Sequence, residues 1–399
     1  MSSALVPSTG RWANPRMLGW AREEAGFTSP EEVDAELGLY KGTIRQWESG
    51  AERPDIKGLR QLSELYDCPF SYFFLSDVLQ EPPPIDLRGS PPNLKRPLSQ
   101  ETKRVLRDFR RLARVASNLQ VLTGLTTALN IGSPDPNTPL DTTLAQKLAE
   151  QEVTRLGITD YERNSWTKAQ SAYRAWRNAV ESLGIFVFSL WVPPKECRGA
   201  ALSGDHLAPA ILVKRNNEPY TARSFTLLHE YAHLMLRQSG QILVCDHYPS
   251  QTETFANTFA SYALVPEEML SRHLDKRGLN DFRDDWTDSS LESIALEFKV
   301  SRDVIAIRLE ARRLAPSGFY RMKRERWDRA KEGGGGFSTT HVTKREQVRE
   351  KVGDRLFNLI VGALRSGEVT HDDARSYLGR VGGEKRQTFV SPEEIEKWR

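Results

Sequence analysis

FTLLHEYAHLML, residues 225–236, sets two histidines four apart and places a glutamate directly after the first, inside an otherwise apolar run. Such a run predicts a helix, and residues four apart on a helix share a face. The spacing alone fits two structures: a zinc site with a catalytic base, or a core helix that happens to contain His229, Glu230 and His233. Phe225, Leu227, Leu228, Leu234, Met235 and Leu236 surround the three polar residues. A helix this apolar is buried, and a buried carboxylate or imidazole needs a partner or a metal ion.

A third ligand is available downstream. Glu253 opens ETFANTFASYALVP, a second helical pattern whose inward stripe runs Ala256, Asn257, Ala260 and Leu264. Glu253 falls on that stripe, and the twenty residues after His233 let one helix end and another fold back beside it. Two histidines and one carboxylate leave the fourth tetrahedral position of a zinc ion open, the pattern of a catalytic site. Zinc lowers the pKa of water at that position toward about 7, and Glu230 is placed to take the proton. Asn257, one turn beyond Glu253, is a candidate partner for the second ring nitrogen of a ligating histidine.

Working outward, GIFVFSLWV and PAILVKR upstream of the helix read as strands, and residues 99–183 as mostly helical. RSFTLLHEYAHLML followed by ETFANTFASYALVP resembles the ImmA/IrrE metallopeptidases, gluzincin-like proteins with an HExxH helix and a downstream glutamate ligand. GIFVF and RGAALSGDHLAPAILVKRNNEPYTARSFTLLHE fit the same pattern, so the resemblance spans about residues 170–270. It implies that His229, His233 and Glu253 bind zinc and that Glu230 is the general base, and none of these positions departs from the family pattern. The residue that polarises the substrate carbonyl is not fixed by the motif. His206, His247 and Tyr248 are candidates, though each reads more readily as a structural or surface residue than as a catalytic one.

The N-terminal region follows a different logic. FTSPEEVDAELGLYKGTIRQWESGAERPDIKGLRQLSELYDCP predicts one helix over Pro30 to Leu37, a turn at Gly38 and a second helix over Lys41 to Glu48. Val33, Leu37, Ile44 and Trp47 are spaced to pack the two together, which is helix-turn-helix spacing. The stretch from Ile44 to Gly50, with Pro54, Leu59 and Leu62, resembles the XRE (Cro/repressor) domain. That resemblance implies double-stranded DNA as partner, with Lys41, Thr43, Arg45 and Gln46 facing bases or phosphates. Two features depart from it. Ser29-Pro30 stand where the family often opens the first helix with glutamine, and residues 1–80 hold eight lysines and arginines against twelve aspartates and glutamates. A protein-docking bundle of the same fold is the competing reading. KRPLSQETKRVLRDFRRLAR (95–114) is either supplementary positive charge or a solvated helix face. LESIALEFKVSRDVIAIRLEARRLAP (291–316) repeats the helix-turn-helix spacing, as a packing element or as a second DNA reader.

EPPPIDLRGSPPNLKRP (81–97) carries six prolines and reads as a linker, and GGGG (333–336) as a joint. The expected fold class is α+β: an all-α helix-turn-helix domain over 14–76, a Pro-rich linker over 77–98, a mostly helical gluzincin-like domain with a small sheet over 99–275, a helical accessory region over 276–331, and a Gly-rich joint with a helical C-terminal tail over 332–399. Three scattered cysteines and no CxxC pair argue against disulfides and a cysteine zinc site, and fit a cytoplasmic protein. No window approaches the roughly 18 apolar residues of a membrane span. The net charge of +3 names no partner by itself. The combined expectation is a DNA-binding transcriptional regulator with a zinc-dependent endopeptidase site that cleaves a repressor or antitoxin-like protein, with room for a homodimer. The alternative is a regulator or antitoxin whose zinc domain senses a ligand or docks a partner without proteolysis. An intact Glu230 favours the first, since a purely structural zinc has no use for a base.

Overall fold

The computed structural model describes residues 12–25, 27, 29–66, 68, 70–74, 85–86, 99–135, 137–193, 196–204, 207–236, 242–244, 251–330, 343–378, 380–383, 386–389, 394–395 and 397. The GGGG joint and most of the Pro-rich linker lie outside them. The chain divides into two compact units, one of residues 1–84 with 96–111, the other of residues 85–95 with 112–399.

The first unit is all-helical: α1 (Pro15–Glu24), α2 (Pro30–Leu37), α3 (Thr43–Ser49), α4 (Ile56–Tyr66), a 3-10 turn over Phe70–Phe74, and the N-terminal half of α5 (Gln100–Leu122). Local chemistry sets the starts. Asn14 caps α1 by accepting from Arg16 N, Ser29 caps α2, and a proline occupies the first position of both helices. α2 has the expected bounds, whereas α3 begins two residues later than expected, because Gly42 takes the left-handed conformation and becomes its N-cap. Leu18, Phe27, Val33, Ile44, Trp47, Leu59, Leu62 and Phe73 form the core, so the residues predicted to join α2 and α3 do so.

The second unit is α+β. α6 (Thr142–Arg155), α7 (Asp160–Ser165) and α8 (Ala169–Ser182) lead into a sheet whose chain order is β1 (Ile85–Asp86), β2 (Phe186–Leu190), β3 (Gly199–Gly204), β4 (Leu207–Lys214) and β5 (Ile242–Val244). Spatially the order is β1-β5-β3-β4-β2, with the β1/β5 and β4/β2 pairs parallel and the rest antiparallel. β2 and β4 are the two predicted strands. β1 comes from within the predicted linker. It pairs Ile85 with Ile242 and Asp86 with Leu243.

α9 (Tyr220–Met235) lies against β3 and β4, and α10 (Gln251–Leu264) returns beside it. Beyond them come α11 (Glu267–Arg277), α12 (Asp288–Phe298), α13 (Arg302–Ala311) and α14 (Phe319–Ala330). One core holds Leu227, Phe255 and Phe259 together with Ile294, Val304, Leu309 and Trp327, so residues 276–327 share the interior of the peptidase-like helices. Val304, Ile305, Ala306, Arg308 and Leu309 bury α13, the helix that a second DNA reader would have to present to a groove. That burial favours the packing reading of residues 291–316.

The C-terminal tail begins as the expected helices, α15 (Lys344–Ser366) and α16 (His371–Leu378). It is not helical to its end: β6 (Arg380–Gly383) and β7 (Arg386–Phe389) form an antiparallel pair, where Gly382 and Gly383 disfavour helix. Among the described residues, no helix is long and apolar enough to cross a membrane.

Candidate functional site

Apolar residues bury α9 from Thr226 to Met235, and that burial carries its polar residues inward. Among them, His229 and His233 point their Nε2 atoms to one place, 3.1 Å apart. Glu253, in the first turn of α10, sets Oε2 3.2 Å from His229 Nε2 and Oε1 3.2 Å from His233 Nε2. Ligand atoms at about 2.0–2.1 Å from a tetrahedral zinc stand about 3.3 Å from each other, so these edges suit a zinc ion. The three residues form a group that could hold a metal ion. Burial alone would push the Glu253 carboxyl up, but hydrogen bonds and charge from His229 and His233 outweigh it and hold the group at about 2.

Glu230 follows His229 on the same helix and is 1% exposed. Its room is set by β3. A Cβ added at Gly199 would stand 2.5 Å from Glu230 Oε1 and 2.6 Å from Thr226 Cγ2, so only glycine lets the strand pass this close. Gly199→Ala is expected to keep metal content while lowering any cleavage by about 10²-fold, the penalty typical of a misplacement near 1 Å. Metal analysis beside a cleavage assay checks this; an unchanged rate would show that the carboxylate has space to spare. Cys197, two residues earlier, is buried, and burial first and the Glu230 charge second push its thiol up to about 12. It is a protonated thiol and no competing nucleophile.

Buried polar groups fix the two ligand helices. Tyr231 on α9 donates to Glu152 Oε2 at 2.5 Å, and Glu152 Oε1 accepts from Gly132 N and Arg155 Nε. Arg163 donates to the carbonyls of Ala263 and Leu264, and Arg308 to that of Val265, closing the C-terminal end of α10. Arg308 also lies 3.4 Å from the Tyr262 ring centroid and pairs with Glu267. None of these positions shows in the motif: Arg163 lies in the polar DYERNS and Glu152 among the other charges of α6, so nothing in the sequence marks them. Asn257 sits one turn after Glu253, half-buried, and makes no side-chain hydrogen bond among the described residues. His229 Nδ1 is buried and without a hydrogen-bond partner among the same residues. His206, His247 and Tyr248 lie outside the described residues.

The first unit presents a separate candidate surface on α3. Lys41, Arg45 and Gln46 are exposed, while Thr43 turns its hydroxyl to the Tyr40 carbonyl at 2.7 Å. α2 holds this helix through two carboxylates. Buried Asp34 accepts from Gly42 N at 2.6 Å and Ile44 N at 2.9 Å, capping an N-terminus that has no cap of its own. Glu31 Oε1 accepts from Arg45 Nε at 3.0 Å and Nη2 at 2.6 Å, and this pairing holds the Glu31 carboxyl below its usual range. From α1, buried Arg22 donates to Glu48 at 2.7 Å. The basic stretch 95–114 is partly spent on structure: Arg104 stacks over Phe27 and Arg107 donates to the Tyr66 carbonyl.

Comparison with known families agrees with both resemblances. Residues 180–310 match the IrrE N-terminal-like domain of the Peptidase_M78 family, from just before β2 to within α13. Residues 18–73 match a helix-turn-helix family, from within α1 into the 3-10 turn. A search among curated proteins finds no match. The chain thus carries a DNA-binding-type helix-turn-helix domain and a domain of a peptidase family.

Proposed function

We propose that the protein is a DNA-binding transcriptional regulator with a zinc-dependent endopeptidase site, acting on a specific regulatory protein such as a repressor or an antitoxin-like partner. The convergence of His229, His233 and Glu253 on one point, with Glu230 on the same buried helix, carries this reading. Bound zinc would polarise the scissile carbonyl and acidify the attacking water. Glu230 takes the water's proton and returns it to the leaving amine. Asn257 remains the α10 candidate to partner the second ring nitrogen of a ligating histidine, a bond that its side chain does not make among the described residues. On the other unit, Lys41, Thr43, Arg45 and Gln46 are assigned to DNA. The pairing of both activities in one chain suits a regulator that removes a protein partner while holding a promoter.

The test is metal content. One zinc per chain is expected in the purified protein, with His233→Ala and Glu253→Ala each losing it. Full occupancy in both variants would mean that other residues hold the metal. The buried triangle leaves room for one ion, and removing any corner leaves a two-ligand site that does not retain zinc against a chelator.

A further inference from the structure

Residues 1–80 hold eight lysines and arginines against twelve aspartates and glutamates, a balance that runs against DNA binding, and the acid is not placed at random. Two of its carboxylates, Glu31 and Asp34, reach from α2 onto α3. Asp34 fixes the backbone at the start of α3. Glu31 meets the guanidinium of Arg45, the one arginine among the four residues assigned to DNA. Arg45 remains 68% exposed, so the pair stands open to solvent and to anything that docks on α3.

The geometry of that pair decides what Arg45 has left to offer. Nε and Nη2 both donate to Glu31 Oε1, which occupies the side-on edge of the fork. The end-on edge, formed by Nη1 and the second hydrogen of Nη2, stays available, and two parallel donors match O6 and N7 of a guanine in the major groove. A guanidinium already neutralised by a carboxylate gains less from a phosphate, where the attraction is net charge. It loses less toward guanine, where recognition rests on the fit of paired donors, and it arrives with its side chain already ordered.

We infer that Glu31 is a specificity-determining residue for DNA: it positions Arg45 to read a guanine through its end-on edge and withholds it from the phosphate backbone. This rests on the reading of the first unit as DNA-binding. It assigns a use to the segment Ser29-Pro30-Glu31, where the sequence departs from the glutamine common in the resembling family. Proline at the first position of α2 fixes the helix start, and Glu31 follows as its second residue, at a place where the negative charge also suits the helix N-terminus.

The experiment uses full-length protein. Wild type first selects duplexes from a randomised 20-base-pair library (about two turns of DNA), and poly(dA-dT), which lacks the O6/N7 acceptor pair of guanine, serves as the non-specific partner. The selected site is expected to contain a guanine whose replacement weakens wild type by about tenfold or more, within the range of a lost bidentate contact. Arg45→Ala should erase the preference at that base. Glu31→Gln should erase most of it while binding poly(dA-dT) more tightly, with a salt slope steeper by about one. Glu31→Asp separates position from charge: it keeps the charge but falls short of Arg45, so it should lose discrimination with no gain on poly(dA-dT). Both positions are on the surface, and an unchanged melting temperature confirms folding. If Glu31→Gln strengthens selected and non-specific duplexes by the same factor, or Glu31→Asp discriminates like wild type, Glu31 only repels DNA and the inference is wrong. If wild type selects nothing and binds no duplex at low salt, the DNA reading itself fails, and the inference with it.

Discussion

Glu230→Gln is expected to lower cleavage by about 10²–10⁴-fold, the usual effect of removing a general base, while zinc content and melting temperature stay at wild-type values. The amide is close to the carboxylate in shape, so it fits the space that Gly199 leaves beside α9. The proposed ligands are the residues on either side of Glu230 along the helix face and Glu253 across from it, and none is altered. What changes is basicity alone: an amide cannot accept the water's proton near neutral pH. A protein substrate is found by incubating the purified chain with proteins encoded beside its gene, and the rates are compared under single-turnover conditions. Equal rates for wild type and Glu230→Gln would remove Glu230 as the base. A variant that also lost zinc would show that the carboxylate holds the site together, the alternative in which proteolysis is absent. The contrast with Gly199→Ala is informative, because that variant keeps the acid and moves it.

How far the sequence could be read depended on how far apart the interacting residues lie. The α9 site was legible because four-residue spacing places His229 and His233 on one face whatever the tertiary structure does. Glu253 was legible because an acid on the apolar stripe of a helix demands a reason. β2 and β4 showed as apolar runs, whereas β3 is GAALSG, with no β-branched residue to announce it. β3 nonetheless sets the space around Glu230. Arg163 reaches carbonyls about a hundred positions away, and no periodicity encodes such a bond. Arg45 was named as a DNA contact, but its partner Glu31 was not, because a pair from two helices depends on how they cross. The tail was legible as helical, but nothing in its sequence indicates what its helices cover.

Gly353→Ala is expected to destabilise the second unit by about 3 kcal/mol or more, through backbone strain of about 1–3 kcal/mol and the loss of buried hydrogen bonds. Gly353 interrupts α15 with φ 84° and ψ 158°, a conformation open in practice to glycine alone. The break starts a new helical segment whose first free N–H groups, those of Asp354 and Arg355, donate to Glu181 Oε2 at 3.1 and 3.2 Å. Glu181 is buried, and burial pushes its carboxyl up to about 6 even with Arg177 beside it, so its charge leans on every donor it has. Arg177 donates to Glu181, to the Glu350 carbonyl and to the Val187 carbonyl, tying α8, α15 and β2 through one guanidinium. A Cβ at 353 would overlap Glu181 Oε1 and stand 2.7 Å from the Val187 carbonyl oxygen. Relief requires α15 to lift from β2, which strips donors from a buried acid and uncovers the strand at one end of the sheet. At roughly 2–4 °C per kcal/mol for a unit of this size, the melting temperature of the second unit should fall by about 6 °C or more. Thermal unfolding followed by tryptophan fluorescence and by zinc release reads it. Zinc should leave at the lowered temperature, because the same core runs from α8 to the ligand helices. A melting curve that matches wild type would mean that α15 docks without its break, and that the tail contributes little to the unit that carries the candidate metal site.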